Sequence, residues 1–257
     1  FISCTRKEKR RCFRFFMQME QRLSEFMKIH GFNKLTLLDY PGHTGAVLFL
    51  GHCNFRCPFC QNSALVLAPD QEPVLSLDEI FSFLKKRHGI LEGVCISGGE
   101  PTLSPDLKDL AARLKSMGYL VKLDTNGSRP EVVKSLVESH LIDYVAMDIK
   151  SSKERYPIVC GCPSVSIESV EESVDFLLHC AIPYEFRTTV VQELHTEKDF
   201  FSISDWILGC SQYFLQSYKD SDGVLLPGFH SCTSEELHRY LSIVRKKIPH
   251  AQLRGVD

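Results

Sequence analysis

The chain has 257 residues, of which 44% are hydrophobic and 24% are charged, and its formal net charge is -2. This composition is typical of one large or two small globular domains. The near-neutral charge argues against a nucleic-acid surface that covers the protein, so we expect no nucleic-acid partner. The sequence contains no apolar run of 18 or more residues, and we therefore expect no membrane span.

The first 26 residues differ from the rest because they carry seven Lys or Arg and three Glu. We expect residues 1–26 to be a basic extension outside the fold, and residues 27–257 to form a single domain. The whole chain has eleven cysteines. An odd number in a chain of this length argues against a disulfide framework, so we expect a reducing, cytoplasmic setting in which clustered cysteines bind a metal or a cluster.

Short β-rich runs alternate with helical patterns from residue 46 onward. The predicted strands cover residues 46–50, 94–97, 119–124, 143–149, 184–190, 213–218 and 251–256. The predicted helices lie near 76–87, 105–117, 130–139, 167–180, 197–209 and 234–247. This alternation predicts an α/β fold with a parallel sheet, either an open doubly wound sheet or an incomplete barrel.

Polar or glycine-rich motifs follow successive predicted strands. Both parallel architectures bind ligands at the carboxyl ends of their strands, so these residues are expected to line one cavity. In chain order they are Cys53, Cys57 and Cys60; Gly98, Gly99 and Glu100 of GGEP; Asp124 and Asn126; Asp148 and Lys150; Arg187; and Gln216.

The three clustered cysteines are the most specific of these motifs. Thiolates bind zinc or iron–sulfur clusters. Three cysteines can hold three irons of a cubane cluster and leave the fourth iron open, whereas a zinc site needs a fourth ligand, for which His43 or His52 is available. Unrelated buried thiols are the remaining interpretation.

The other motifs are weak when each is taken alone. Glu100 offers a carboxylate to an ammonium group, but GGEP also suits an ordinary turn with a solvated Glu. Asp124 and Asp148 suit helix caps or solvated loops, and Lys150 by itself suits the surface. Their position after successive strands favours a functional interpretation.

The motifs together resemble the radical S-adenosylmethionine superfamily. The resemblance rests on C-x3-C-x2-C with Phe59 before the last cysteine, followed by ISGGEP. LDTNG and MDIK are similar to the branch that activates glycyl radical enzymes. KLTLLDYPG and EFRTTVVQELHT resemble the activating proteins of anaerobic ribonucleoside-triphosphate reductases. The resemblance covers roughly residues 27 to 257.

The resemblance implies a partial (βα)6-type barrel, one [4Fe–4S] cluster on Cys53, Cys57 and Cys60, and S-adenosylmethionine on the fourth iron. It implies that Gly98, Gly99 and Glu100 surround the methionine amino group and that Phe59 lies near the adenine. It implies that Asp124 and Asp148 help to hold a monovalent cation near the methionine carboxylate, and that Lys150 and Arg187 contact the cofactor. Asn126 is a further expected cofactor contact.

The chemistry implied is a one-electron cleavage that yields a 5′-deoxyadenosyl radical, which takes a hydrogen atom from a glycine of a partner enzyme. The implied partners are a glycyl radical enzyme, most like anaerobic ribonucleotide reductase, and a one-electron donor such as flavodoxin or ferredoxin. Two alternatives stay open: a radical S-adenosylmethionine enzyme with another substrate, and a zinc-binding interaction module. We expect Cys160 and Cys162, which depart from the family pattern, to be ordinary loop thiols.

Overall fold

The computed structural model describes Leu23 and residues 27–256. Apart from Leu23, the predicted basic extension lies outside the described residues. An eight-stranded sheet runs through the rest, with strands adjacent in sequence order, β1 antiparallel to β2 and every later pair parallel. The strands are β1 Ile29–Thr36, β2 Gly45–Leu50, β3 Gly93–Gly98, β4 Leu120–Thr125, β5 Tyr144–Asp148, β6 Tyr184–Val190, β7 Tyr213–Ser217 and β8 Gln252–Arg254.

Helices connect the parallel strands of this sheet. They are α1 Ser63–Leu67, α2 Leu77–Arg87, α3 Leu107–Ser116, α4 Pro130–Glu138, α5 Tyr156–Val159, α6 Ile167–His179, α7 Glu197–Trp206 and α8 Ser234–Arg245, with short 3-10 turns at Pro69–Gln71 and Pro101–Leu103. Each strand from β2 to β7 is followed by helix, which makes six βα units before β8. A doubly wound sheet would reverse its strand order, and this one does not. The predicted partial (βα)6-type barrel is therefore confirmed.

Alternation along the strands separates a polar interior from an apolar outer layer. In β6, Arg187 and Thr189 line the internal cavity, and Glu185 lies on the same face two residues earlier. Phe186 and Val190 point the other way and are fully buried in the hydrophobic core. The helices therefore stabilise the sheet from outside, and the interior remains available for polar chemistry.

Local sequence signals explain two of the helix ends. The Ser76 side chain accepts a hydrogen bond from the Glu79 backbone N–H at 3.4 Å and caps the amino end of α2. Gly118 follows the end of α3 with a φ of 86°, the left-handed conformation in which glycine commonly terminates a helix.

Three elements were absent from the sequence prediction. Strand β1 contains Gly, Asn and Lys and lies at the sheet edge, so it lacks the apolar run of a central parallel strand. Helices α1 and α5 have five and four residues, too few to show a helical period.

Candidate active site

A cavity of about 470 Å³ opens at the carboxyl ends of the parallel strands. Eleven of the twelve predicted site residues line it, and Glu100 does not; Gln216 lines it as well. The eleven are Cys53, Cys57, Phe59, Cys60, Gly98, Gly99, Asp124, Asn126, Asp148, Lys150 and Arg187. A second cavity, of about 660 Å³, includes His30, Asp106 and the alternative zinc ligand His52, and none of these twelve residues.

The three cysteines lie on the loop between β2 and α1. The Cys60 backbone N–H donates to the Cys57 carbonyl at 3.0 Å and closes a turn between these two residues, and all three cysteines line the cavity. Burial raises the pKa of the Cys53 thiol to about 11 and that of Cys57 to about 12, although Lys150 opposes the shift at Cys57. These thiols therefore need a cationic group beside them to be held as thiolates.

The donor set fits a cluster better than a zinc ion. Among the described residues, no three His, Cys, Asp or Glu side chains are arranged to hold a single metal ion. His43 contacts Glu92 and Tyr40 beyond the amino end of β2, away from the cysteines, and His52 lines the second cavity. Three free thiols spread around one cavity suit the corners of an iron–sulfur cluster.

Gly98 and Gly99 bring the end of β3 against the end of β2 and the cysteine loop. Gly98 has a φ of 120°, and a Cβ there would lie 2.2 Å from the Leu50 carbonyl oxygen. At Gly99 a Cβ would lie 2.0 Å from the His52 carbonyl oxygen. Only glycine allows this approach, and it leaves bare backbone at the cavity wall.

Glu100 does not line the cavity, although it was expected to lie near a ligand ammonium group. Its side chain is buried behind the cavity, where Oε1 accepts from the Thr102 backbone N–H at 3.1 Å and from the Thr102 and Thr125 hydroxyls at 2.5 and 2.8 Å. Oε2 accepts from the Asn126 backbone N–H at 2.6 Å. Four donors occupy the carboxyl group, so Glu100 ties the loop after β3 to the loop after β4.

Asp148 lies between two cations at the cavity wall. Arg187 Nε is 2.9 Å from Asp148 Oδ1, and Lys150 Nζ is 2.9 Å from Asp148 Oδ2. Burial alone would raise the pKa of the Asp148 carboxyl, but Arg187 and Lys150 outweigh it and hold that pKa well below its usual range. At neutral pH the site therefore carries fixed charges of both signs.

Asp124 extends this charged wall across β4. Arg187 NH1 is 3.5 Å from Asp124 Oδ1, the Ser97 hydroxyl donates to Oδ2 at 3.0 Å, and the buried Lys122 ammonium donates to Oδ1. Burial raises the pKa of Asp124, but Arg187 and then Lys122 lower it to a net value below the usual range. The carboxylate is ionised and shared between two cations.

Asn126 connects the β4 loop to the cysteine loop. Its Nδ2 donates to Asn54 Oδ1 at 2.9 Å and points at Cys53 Sγ at 3.9 Å. Phe59 is buried at the cavity wall. Both residues therefore line the cavity next to the cysteine loop, Asn126 by its contact with Cys53 and Phe59 by its place between Cys57 and Cys60.

The loop that contains Cys160 and Cys162 supports the cysteine loop from behind. The Arg56 backbone N–H donates to the Cys160 carbonyl at 2.9 Å, and a Cβ at Gly161 would lie 2.0 Å from the Arg56 carbonyl oxygen. The Cys160 thiol donates to the Pro157 carbonyl at 3.7 Å. Neither cysteine lines the cavity.

Several residues that shape the site were not predicted. Thr102 and Thr125 hold Glu100, and His195 Nε2 donates to the Lys150 carbonyl at 2.8 Å. Glu185 and Arg254 form a two-pronged ion pair below Arg187. The two-residue alternation of YEFRTTV could have identified Glu185 as an interior residue, but no local signal pairs it with Arg254.

The fold and cavity define a parallel barrel with a cysteine-loop site, and comparison with known families assigns its class. Residues 47–207 match the profile of the Radical SAM superfamily, where SAM denotes S-adenosylmethionine. The chain belongs to this superfamily, which confirms the resemblance seen in its motifs. Its members are radical enzymes that use a [4Fe–4S] cluster and S-adenosylmethionine, so this protein is a radical S-adenosylmethionine enzyme.

Individual relatives share different parts of the chain. A Methanocaldococcus jannaschii protein named as a glycyl-radical enzyme activating enzyme is 33% identical over 198 residues, 76% of this chain and 81% of the relative. A GTP 3′,8-cyclase of Helicobacter pylori is 35% identical over 180 residues, 67% of this chain, and this chain spans only about half of that relative (52%).

A solved structure shares the fold. The crystal structure of a domain of a pyruvate-formate lyase-activating enzyme from Bacteroides vulgatus superposes with a TM-score of 0.53 at 20% identity and covers 64% of this chain and 99% of that chain. In the described part of this chain, no helix is long and apolar enough to cross a membrane.

Proposed function

We propose that the protein is an activating enzyme that generates a glycyl radical on a partner enzyme, and that the partner is an anaerobic ribonucleoside-triphosphate reductase. The relative from M. jannaschii supports the first part. The second part is supported by the KLTLLDYPG and EFRTTVVQELHT segments, of which Asp39 and Arg187 reach the cavity.

The choice between a peptide substrate and a nucleotide substrate rests on the charge balance of the cavity. The charged side chains lining it are three carboxylates and three cations: Asp39, Asp124, Asp148, Lys150, Arg187 and Lys219. Lys150 and Arg187 are already paired with Asp148. A nucleoside triphosphate needs a surplus of cations around its phosphates, whereas an uncharged glycine segment needs none. The balance favours a peptide substrate over the nucleotide substrates that the cyclase relatives suggest.

We infer that Cys53, Cys57 and Cys60 hold the cluster. When bound, the cluster and S-adenosylmethionine supply a one-electron cleavage that produces a strong hydrogen-atom acceptor. The chain's own residues bind and orient that pair. Gly98 and Gly99 present backbone at the wall, where a Cβ would clash with neighbouring carbonyl oxygens.

Charged residues complete the proposed cofactor site. Lys150 and Arg187 are paired with Asp148 but have further N–H groups that can donate to the methionine carboxylate. Phe59 lies on the cysteine loop and Asn126 lies beside it. Asp124 and Asp148 are the proposed ligands of a monovalent cation, which would share oxygens that already accept from Lys or Arg. Glu100 acts on this site through the loops that it joins and not by direct contact.

The remaining parts of the proposal concern the setting. The nine described cysteines are all free, which supports a reducing compartment, the cytoplasm. One sheet joins residues 29 to 254, which supports a single domain over 27–257. A flavodoxin or ferredoxin is the proposed electron donor.

The proposal is tested by electron paramagnetic resonance. The reconstituted, reduced protein is mixed anaerobically with S-adenosylmethionine and the anaerobic ribonucleotide reductase of the same organism. We expect a glycyl radical signal on the reductase with the wild type and none with Cys57→Ala. Cys180→Ala, which alters a thiol outside the cavity, is the matched control and is expected to retain the signal. Cleavage of S-adenosylmethionine without any radical on the reductase would contradict the proposed partner.

A further inference from the structure

Five side chains form a ladder of alternating charge from the last strand to the cysteine site. In order they are Arg254, Glu185, Arg187, Asp148 and Lys150, and we call them the charge ladder. Arg254 NH1 and NH2 donate to Glu185 Oε1 and Oε2 at 2.9 and 3.0 Å. Arg187 Nε donates to Asp148 Oδ1 at 2.9 Å, and Lys150 Nζ donates to Asp148 Oδ2 at 2.9 Å. Arg254 therefore lies at the end of the ladder farthest from the cofactor site.

Glu185 lies between two arginines and divides its contacts unequally. Its side chain is only 1% exposed, and it receives the two-pronged contact from Arg254 and a hydrogen bond from the Tyr144 hydroxyl at 3.1 Å. Arg187 NH1 lies 4.0 Å from Glu185 Oε1, beyond hydrogen-bond distance. Because Arg254 neutralises Glu185, the Arg187 guanidinium is left for Asp148 and Asp124.

Loss of Arg254 would change that division. A buried carboxylate without its partner is strongly unfavourable, and Arg187 is the nearest remaining cation. Its guanidinium would be drawn toward Glu185 and away from the 2.9 Å contact with Asp148. The cavity would then lose the orientation of one of its two paired cations.

We propose that Arg254 is a positioning residue that acts through Glu185 to hold Arg187 toward the cofactor cavity. The inference rests on the cofactor site within the proposed function and is independent of the partner. It gives β8, which contributes no residue to the cavity wall, a role in binding S-adenosylmethionine.

The test measures binding of S-adenosylmethionine to the cluster-loaded, unreduced protein by anaerobic titration calorimetry, so that no turnover occurs. Arg254→Met keeps an unbranched side chain and removes the guanidinium group, whose Cζ lies 3.7 Å from the Phe214 ring centre. We expect about tenfold weaker binding, the size of one lost charged contact. Adding Glu185→Gln removes the competing carboxylate, and the double variant is expected to bind within about threefold of the wild type.

Arg245→Met is the matched control because the Arg245 Nε donates to the Ala251 carbonyl at 2.9 Å and anchors the turn before β8 without touching the charge ladder. It is expected to bind like the wild type, even if urea unfolding shows lower stability. The inference is overturned if the double variant binds as weakly as Arg254→Met, or if Arg245→Met binds equally weakly. If Arg254→Met does not fold, the S-adenosylmethionine affinity of the double variant is compared with that of the wild type. Binding within about threefold supports the inference, and binding about tenfold weaker overturns it.

The two proposals fail in different experiments. Rescue of binding by Glu185→Gln together with no radical on the reductase would leave the positioning role intact and contradict the proposed partner. Normal radical formation on the reductase without rescue of S-adenosylmethionine binding would support the proposed partner and overturn the positioning role of Arg254.

Discussion

Replacing Glu100 by Gln tests whether this residue is a strut between two loops or a cofactor ligand. The two carboxyl oxygens each accept from one backbone N–H, that of Thr102 on Oε1 and that of Asn126 on Oε2. A glutamine has only one oxygen, so its NH2 group must face one of these two donors. This conflict holds whether the Glu100 carboxyl is ionised or protonated.

The expected loss of stability follows from the contacts. Glu100→Gln leaves one buried backbone N–H without an acceptor and weakens the remaining hydrogen bonds, which together amount to about 3 kcal/mol. Thr102→Val is the matched control because it removes one hydroxyl donor and keeps both backbone donors; we expect it to lower the free energy of unfolding by about 1 kcal/mol.

The assay is urea unfolding of the cluster-free protein under reducing, anaerobic conditions, so that cofactor binding does not contribute. S-adenosylmethionine binding to the reconstituted protein is measured in parallel. The strut interpretation is refuted if Glu100→Gln unfolds within about 1 kcal/mol of the wild type while its affinity for S-adenosylmethionine falls more than about tenfold.

Three further predictions concern the loops around the cavity. Gly161→Ala places a Cβ against the Arg56 carbonyl oxygen and is expected to lower the iron bound on reconstitution, measured by iron analysis, whereas Gly209→Ala, with the same left-handed backbone but open space, is expected to load normally. Asn126→Ala removes a donor aimed at Cys53 Sγ, and we expect a more negative cluster potential in a redox titration; an unchanged potential would contradict this role. Burial lowers the pKa of His195 below its usual 6.5, so unfolded chains bind more protons and the wild type loses stability as the pH falls below 6.5, by up to about 1.4 kcal/mol per pH unit. His195→Gln is expected to flatten this dependence in urea unfolding, and an equal slope would refute it.

The sequence predicted the architecture well because buried parallel strands are continuous apolar runs that local composition reveals. The six predicted segments from 94–97 to 251–256 overlap strands β3 to β8, with ends that differ by at most two residues. The site followed from the same rule, since motifs at the carboxyl ends of parallel strands converge whatever the details of packing. That rule brought Cys53, Asp124 and Arg187 to one cavity.

The roles of individual polar residues depended on partners distant in the chain. Glu100 was expected to face a ligand, yet its donors include Thr125 and Asn126, 25 and 26 residues away. Glu185 and Arg254 are separated by 69 residues. Sequence periodicity indicates that such a side chain faces the interior, but only the register of the folded sheet indicates which charge it meets.

The most direct test of the central claim follows the hydrogen atom. The partner reductase is prepared with glycine deuterated at its α carbon and is incubated anaerobically with the reduced protein and S-adenosylmethionine, and the 5′-deoxyadenosine formed is analysed by mass spectrometry. The account predicts deuterium in the 5′-deoxyadenosine, with a radical on the reductase. 5′-Deoxyadenosine that carries no deuterium, and that forms equally well without the reductase when a nucleotide is supplied, would contradict it.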